Sequence, residues 1–301
     1  MQGVFPKNFE NKIGFDRVRE MLHNKCLSAM GSEWVEAMRF QDSFENISNQ
    51  LGEVNEFCRI IRETENFPTQ HFYDLRGPLQ KIRMEGRFLE EAELFDLKRS
   101  LESVRGIVQF FKKQKEEAFP LLKKKTASVQ VFPYIYDRID SIINKHGKLR
   151  DNASPELAQI RKDILSRQSN MSKRLHAILK QAQSQGLVDE EASVAIRDGR
   201  AVIPVSSANK RKIKGIVYDE SATGKTSYIE PNEIVEMNNE IRELEYAERR
   251  EVIKILTGFS NDIRPYLEDL MHSYDFLGEI DFIRAKGLLA VEFNAILPEF
   301  T

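Results

Sequence analysis

Cysteine is almost missing from this chain: Cys26 and Cys58 are the only two in 301 residues, far apart in helical contexts. That excludes a disulfide framework and a thiolate metal cluster, and leaves two buried free thiols in a reducing cytosol as the expectation. Histidine is sparse too. His23, His71, His146, His176 and His272 show neither i, i+4 pairing nor Glu-x-x-His spacing, so no metal site is read. No run of 18 apolar residues occurs and the N-terminus has no signal-peptide pattern, which points to a soluble, cytoplasmic chain with no membrane partner. An excess of either charge is also lacking. With 45 Lys and Arg against 47 Asp and Glu the net charge is −2, so any case for nucleic acid must be local.

Glycine and proline are absent from two long stretches, Glu156 to Gln185 and Asn232 to Thr257, and each is therefore free to form one uninterrupted helix. In the first, Leu157, Ile160, Ile164, Gln168, Met171, Leu175, Ile178 and Ala182 recur at steps of three and four. In the second, Ile234, Met237, Ile241, Leu244, Val252, Ile255 and Phe259 do the same. Each stripe is too narrow to be buried alone, so the two should pair antiparallel as a coiled coil. At 1.5 Å per residue such an arm is roughly 40 to 45 Å long.

Between them the helical period stops. Ser193 to Ile196, Ala201 to Val205, Ile213 to Tyr218 and Thr226 to Ile229 are short β-branched runs ended by turn signals such as Asp198-Gly199 and Ala222-Thr223-Gly224. Two hairpins making a small sheet are expected at the tip of the arm. The rest reads as helix: Phe9 to Met38 with a break or restart at Gly31-Ser32, Ile47 to Glu63, a short helix before Gly86, Glu90 to Phe111, Val131 to Ile143, and Ile263 to Leu297 after a bend at Gly258. Trp34, the only tryptophan, is expected in a core. The reading is mainly α: a helical core from 1–150 and 258–301, lever helices at 151–191 and 232–257, and a small β clamp at 192–231.

Catalytic signatures are not found. Gly224-Lys225-Thr226 resembles the end of a phosphate loop, but Asp219 stands where its first glycine is needed and a strand, not a helix, should follow. Phe88-Leu89-Glu90 sits at a helix start beside Glu91 and Glu93, where a core phenylalanine and an acidic first turn suffice. What the tip does have is charge. From Arg197 to Tyr228 there are seven basic residues, Arg197, Arg200, Lys210, Arg211, Lys212, Lys214 and Lys225, against Asp198, Asp219 and Glu220. The tip is thus +4 and the remainder about −6. Such asymmetry suits a phosphate backbone, and equally a loop that only keeps the tip solvated.

Longer motifs bear on the choice. Arg197 to Val205 (RDGRAVIPV), Lys214 to Gly224 (KGIVYDESATG), Ile229-Glu230-Pro231 and Met237 to Ile241 (MNNEI) resemble the clamp of MutS-type proteins, nearest to the bacterial branch that lacks the mismatch-reading domain. Asp74-Leu75-Arg76, Glu91 to Leu94 and Glu279 to Lys286 are similar to that family's core, so the resemblance spans nearly the whole chain. At Thr223-Gly224-Lys225 it departs from the family's Ser-Gly followed by an uncharged residue.

The resemblance implies a core, lever and clamp that close over double-stranded or branched DNA, in repair or recombination control. It also implies a longer parent whose ATPase domain would bring ATP and Mg and most of the dimer contacts, with a C-terminal nuclease domain as a further expectation. The alternative is an arm that engages the ribosome and its RNA in rescue of stalled or collided ribosomes. For this chain no cofactor, metal or catalytic residue is expected.

Overall fold

The computed structural model describes residues 8–64 and 66–299. The protein is mainly α-helical with one four-stranded antiparallel sheet. In chain order the elements are α1 (Phe9–Lys12), α2 (Phe15–His23), α3 (Ala29–Ala37), α4 (Phe44–Glu63), α5 (Arg76–Lys81), α6 (Glu91–Lys113), α7 (Pro120–Ala127), α8 (Pro133–Ile142), α9 (Pro155–Ser184), β1 (Ala195–Arg197), β2 (Arg200–Ser206), β3 (Gly215–Glu220), β4 (Thr226–Pro231), α10 (Asn232–Ile263) and α11 (Leu267–Glu292). They form two compact units, one of residues up to Leu149 together with Leu256 onward, the other Arg150–Ile255. Among the described residues no helix is long and apolar enough to cross a membrane.

Helix starts follow their local sequence. The Ser28 and Ser154 side chains accept from the Gly31 and Leu157 amides, at 3.0 Å each, and Glu90 and Glu93 form a capping box at α6. Proline opens α7, α8 and α9, where its missing N–H costs nothing. In the first unit α11 is apolar all round: Leu270, Tyr274, Leu277, Ile280 and Ile283 are buried, and so are Phe276, Phe282 and Ala285 on its other sides. A helix of that kind must be central.

Four expectations are corrected in this unit. Gly31-Ser32 does not break a helix; the break lies at residues 24–28, and Gly31 is inside α3 because a Cβ there would stand 2.3 Å from Asp281 Oδ2. Asp281, fully buried, accepts from the Leu27 and Ser28 amides at 2.9 Å and from the Ser28 hydroxyl at 2.8 Å, filling the place of a capping group at α3. Gly258 makes no bend, since α10 runs through it. Trp34 is 39% exposed and stacks on Phe282 at 6.2 Å instead of being enclosed. Cys58 is buried but Cys26 only half so, and both are free thiols.

The second unit pairs α9 with α10. Ser154 bonds Glu251, and Arg161, Arg167 and Arg174 pair with Glu248, Glu240 and Glu233, so partners descend along α10 as they climb α9 and the helices are antiparallel. The stripe read from the sequence is the buried one at Leu157, Ile160, Ile164, Leu175, Leu179 and Ala182, facing Ile234 and Ile241. The sheet has the order β1-β2-β4-β3. Ala201, Ile203, Val205 and Ile229 pack on Leu175, Leu179, Ala182 and Ile234, so the sheet sits on the last turns of α9 and the first of α10. Since β2 and β3 both run antiparallel to β4, they are parallel to each other, and residues 207–214 are the crossover between them.

Candidate nucleic-acid interface

The β1–β2 turn is two residues, Asp198 at φ 44° and Gly199 at φ 76°, the left-handed pair that a tight hairpin of this twist requires. Side chains alternate along a strand, so with Ile203 and Ile229 against the helices, Val202, Pro204 and Tyr228 point away from them. On that face the Arg197 guanidinium lies 4.0 Å above the Tyr228 ring and pairs with Asp219 at 3.3 Å. Arg200 lies 5.6 Å from the Tyr218 ring centre. Both arginines keep their charge near an aromatic face, which favours a fixed over a waving side chain.

Arg200 is held harder than Arg197. Its Nη1 donates to both Glu230 oxygens at 2.8 and 3.0 Å, and its Nη2 to Asn239 Oδ1 at 2.9 Å. Glu230 is 1% exposed and also accepts from Asn238 Nδ2 at 2.7 Å. Arg242 donates to the Asp198 carbonyl at 3.2 Å. The β1–β2 hairpin is therefore fastened to the first turns of α10, and Arg200 serves the fold before it serves any ligand.

At the opposite end of the sheet the crossover begins beside the β3–β4 turn. The Ser207 amide donates to the Lys225 carbonyl at 3.0 Å, the Ser207 hydroxyl to the Gly224 carbonyl at 2.6 Å, and Lys210 pairs with Glu220 at 3.1 Å. Lys210 and Lys225 are thus brought to one end. Lys214 is not: its carbonyl accepts from the Asn232 amide, at the end where Arg200 lies. The seven basic residues read from the sequence divide by partner. Arg197, Arg200 and Lys210 face Asp219, Glu230 and Glu220, whereas Arg211, Lys212, Lys214 and Lys225 are exposed and form no ion pair among the described residues.

The sequence reasoning did not single out Glu230 and Asn238, and it set Tyr218 and Tyr228 aside. The signal for Glu230 was an acid inside a strand between Ile229 and Pro231, a place where an unpaired carboxylate could not be buried. Gly224-Lys225-Thr226 lies in the β3–β4 turn, with Gly224 at φ 67° and Thr226 opening a strand. No helix N-terminus faces it, which is what phosphate cradling would need. Among the described residues no three His, Cys, Asp or Glu side chains are grouped to hold a metal.

No protein-family model matches the chain. It is similar to curated proteins named Endonuclease MutS2: 32% identical over 287 residues to that of Symbiobacterium thermophilum, 30% over 287 to that of Alkaliphilus oremlandii, and 30% over 291 to that of Enterococcus faecalis. These matches take in 95–96% of the chain and 36% of each relative. Along nearly its whole length the chain thus resembles about a third of an Endonuclease MutS2, a protein of MutS-like, DNA-related name.

Proposed function

We propose that the chain is the nucleic-acid-binding core, lever and clamp of a longer MutS-like protein, and that it holds the phosphate backbone of double-stranded or branched DNA in repair or recombination control. The observation that supports this most directly is the set of four exposed cations without ion pairs, Arg211, Lys212, Lys214 and Lys225, on a sheet otherwise matched charge for charge. Cutting, as the relatives' name describes it, and ATP and Mg binding are assigned to the remainder of such a protein, as is its self-association. This chain binds.

The test is fluorescence anisotropy of the 301-residue chain with a labelled four-way junction and a linear duplex at two salt concentrations. Four phosphate contacts predict a salt slope near −4, or about a hundredfold loss of affinity between 50 and 200 mM salt. Replacing the four residues together by alanine should remove most of that slope and weaken binding alike on different sequences. Unchanged binding would exclude these side chains as the contact surface. Co-sedimentation with ribosomes, in a chain that holds neither DNA, would assign the same cations to structured RNA.

A further inference from the structure

We propose that Asp219 and Glu220 are a built-in competitor for the nucleic-acid backbone: they occupy Arg197 and Lys210 in the free chain, and a phosphate must displace them to use those cations. The inference rests on the proposed DNA-binding role and concerns what limits affinity at that same sheet. Its basis is local geometry. A β-bulge between Val217 and Asp219 shifts the register of β3, so that Asp219 stands opposite Tyr228 and Glu220 opposite Ser227. Neighbouring side chains on a strand point to opposite faces. Asp219 accordingly reaches Arg197 at 3.3 Å, where the guanidinium covers Tyr228, while Glu220 reaches Lys210 at 3.1 Å in the crossover. One acidic dipeptide thereby neutralises two of the seven cations, one on each side.

Both pairs are partly exposed, unlike Arg200 with the buried Glu230. Exposed pairs in water are weak and exchange readily. They do little for the fold, yet a carboxylate bonded to each cation must leave before a phosphate oxygen takes its place. Asp219 and Glu220 are in this sense affinity-setting residues, holding the sheet below the grip its basic residues would otherwise have.

The experiment compares duplex DNA binding by the 301-residue chain, a D219N/E220Q variant, and an E190Q/E191Q variant. Glu190 and Glu191 are exposed, and no ion pair is formed by either among the described residues, so the third protein carries the same net charge change without freeing a cation. The expected result is about tenfold tighter binding by D219N/E220Q at 100 mM salt, with the salt slope steeper by up to about two contacts. E190Q/E191Q should stay within about twofold of the unmodified chain. Equal binding by D219N/E220Q and the unmodified chain overturns the proposal, as does an equal gain in E190Q/E191Q, which would make the effect one of bulk charge. Failure of all three to hold DNA at low salt overturns both the competitor and the DNA-binding reading. Should the variant without Arg211, Lys212, Lys214 and Lys225 bind normally while D219N/E220Q binds tighter, that four-residue reading fails and the competitor stands.

Discussion

Glu230 is the side chain on which the β1–β2 hairpin depends. Its carboxylate is enclosed and takes hydrogen bonds from Arg200 and Asn238, so E230A leaves a guanidinium and an amide without their acceptor. A loss of about 3 kcal/mol is expected in denaturant unfolding, with faster amide exchange through 195–206, whereas E230Q should lose less. Lys286 makes a pH-dependent claim. Burial holds its pKa down at about 8, from an ordinary 10.5, despite the nearby Glu53 and Glu279 carboxylates. A lysine depressed in the folded state contributes stability that is complete above about pH 10.5 and is lost as the pH falls through about 8. Thermal melts should therefore show the unmodified chain gaining roughly 2 to 3 kcal/mol between pH 8 and 10.5 relative to K286M. A parallel pair of curves would contradict it. At Gly31 the added methyl of G31A meets Asp281, already fixed by three hydrogen bonds, and a cost of about 1 to 3 kcal/mol is expected on unfolding.

Among the elements, the α9–α10 pair separates two kinds of contact. Its arginine–glutamate rungs are part-exposed, its stripe is not. R167A should change stability by no more than about 1 kcal/mol, while L175A, at a fully buried position, should cost about 2 to 5 kcal/mol. That stripe was legible in the sequence, because a helix with one apolar face writes its period directly into residue order. The β runs were legible to within about two residues for the same reason, with Asp198-Gly199 fixing one hairpin. Glycine was the misleading sign. Gly31 and Gly258 resemble punctuation, yet in neither is a positive φ needed: one admits a close neighbour and the other is simply tolerated in α10. At the candidate site the kinds of residue were legible and their pairing was not, since Arg197–Asp219 and Lys210–Glu220 depend on a crossover and a one-residue bulge that have no local sequence signature.

For the whole molecule, the division of the chain is uneven in sequence. The second unit is contiguous, Arg150–Ile255, and the first is made from two segments on either side of it. Their join on the C-terminal side falls inside α10, so a fragment cut at residue 255 would lose the last turns of a continuous helix. It would also take Phe259 and Ile263, both buried, away from any shorter version of that helix. Dissection should respect the helix and not the boundary.

The central place of α11 gives the chain an order of assembly. Everything that the first unit's helices pack around is made last, some hundred residues after α8 leaves the ribosome, while the sheet and its helix pair are by then complete. Domains fold largely as units during synthesis. Arrested nascent chains ending before α11 should accordingly protect residues 150–255 from protease and leave 8–149 open. The part of the protein proposed to meet nucleic acid would be finished while the part that supports it is still waiting for its core.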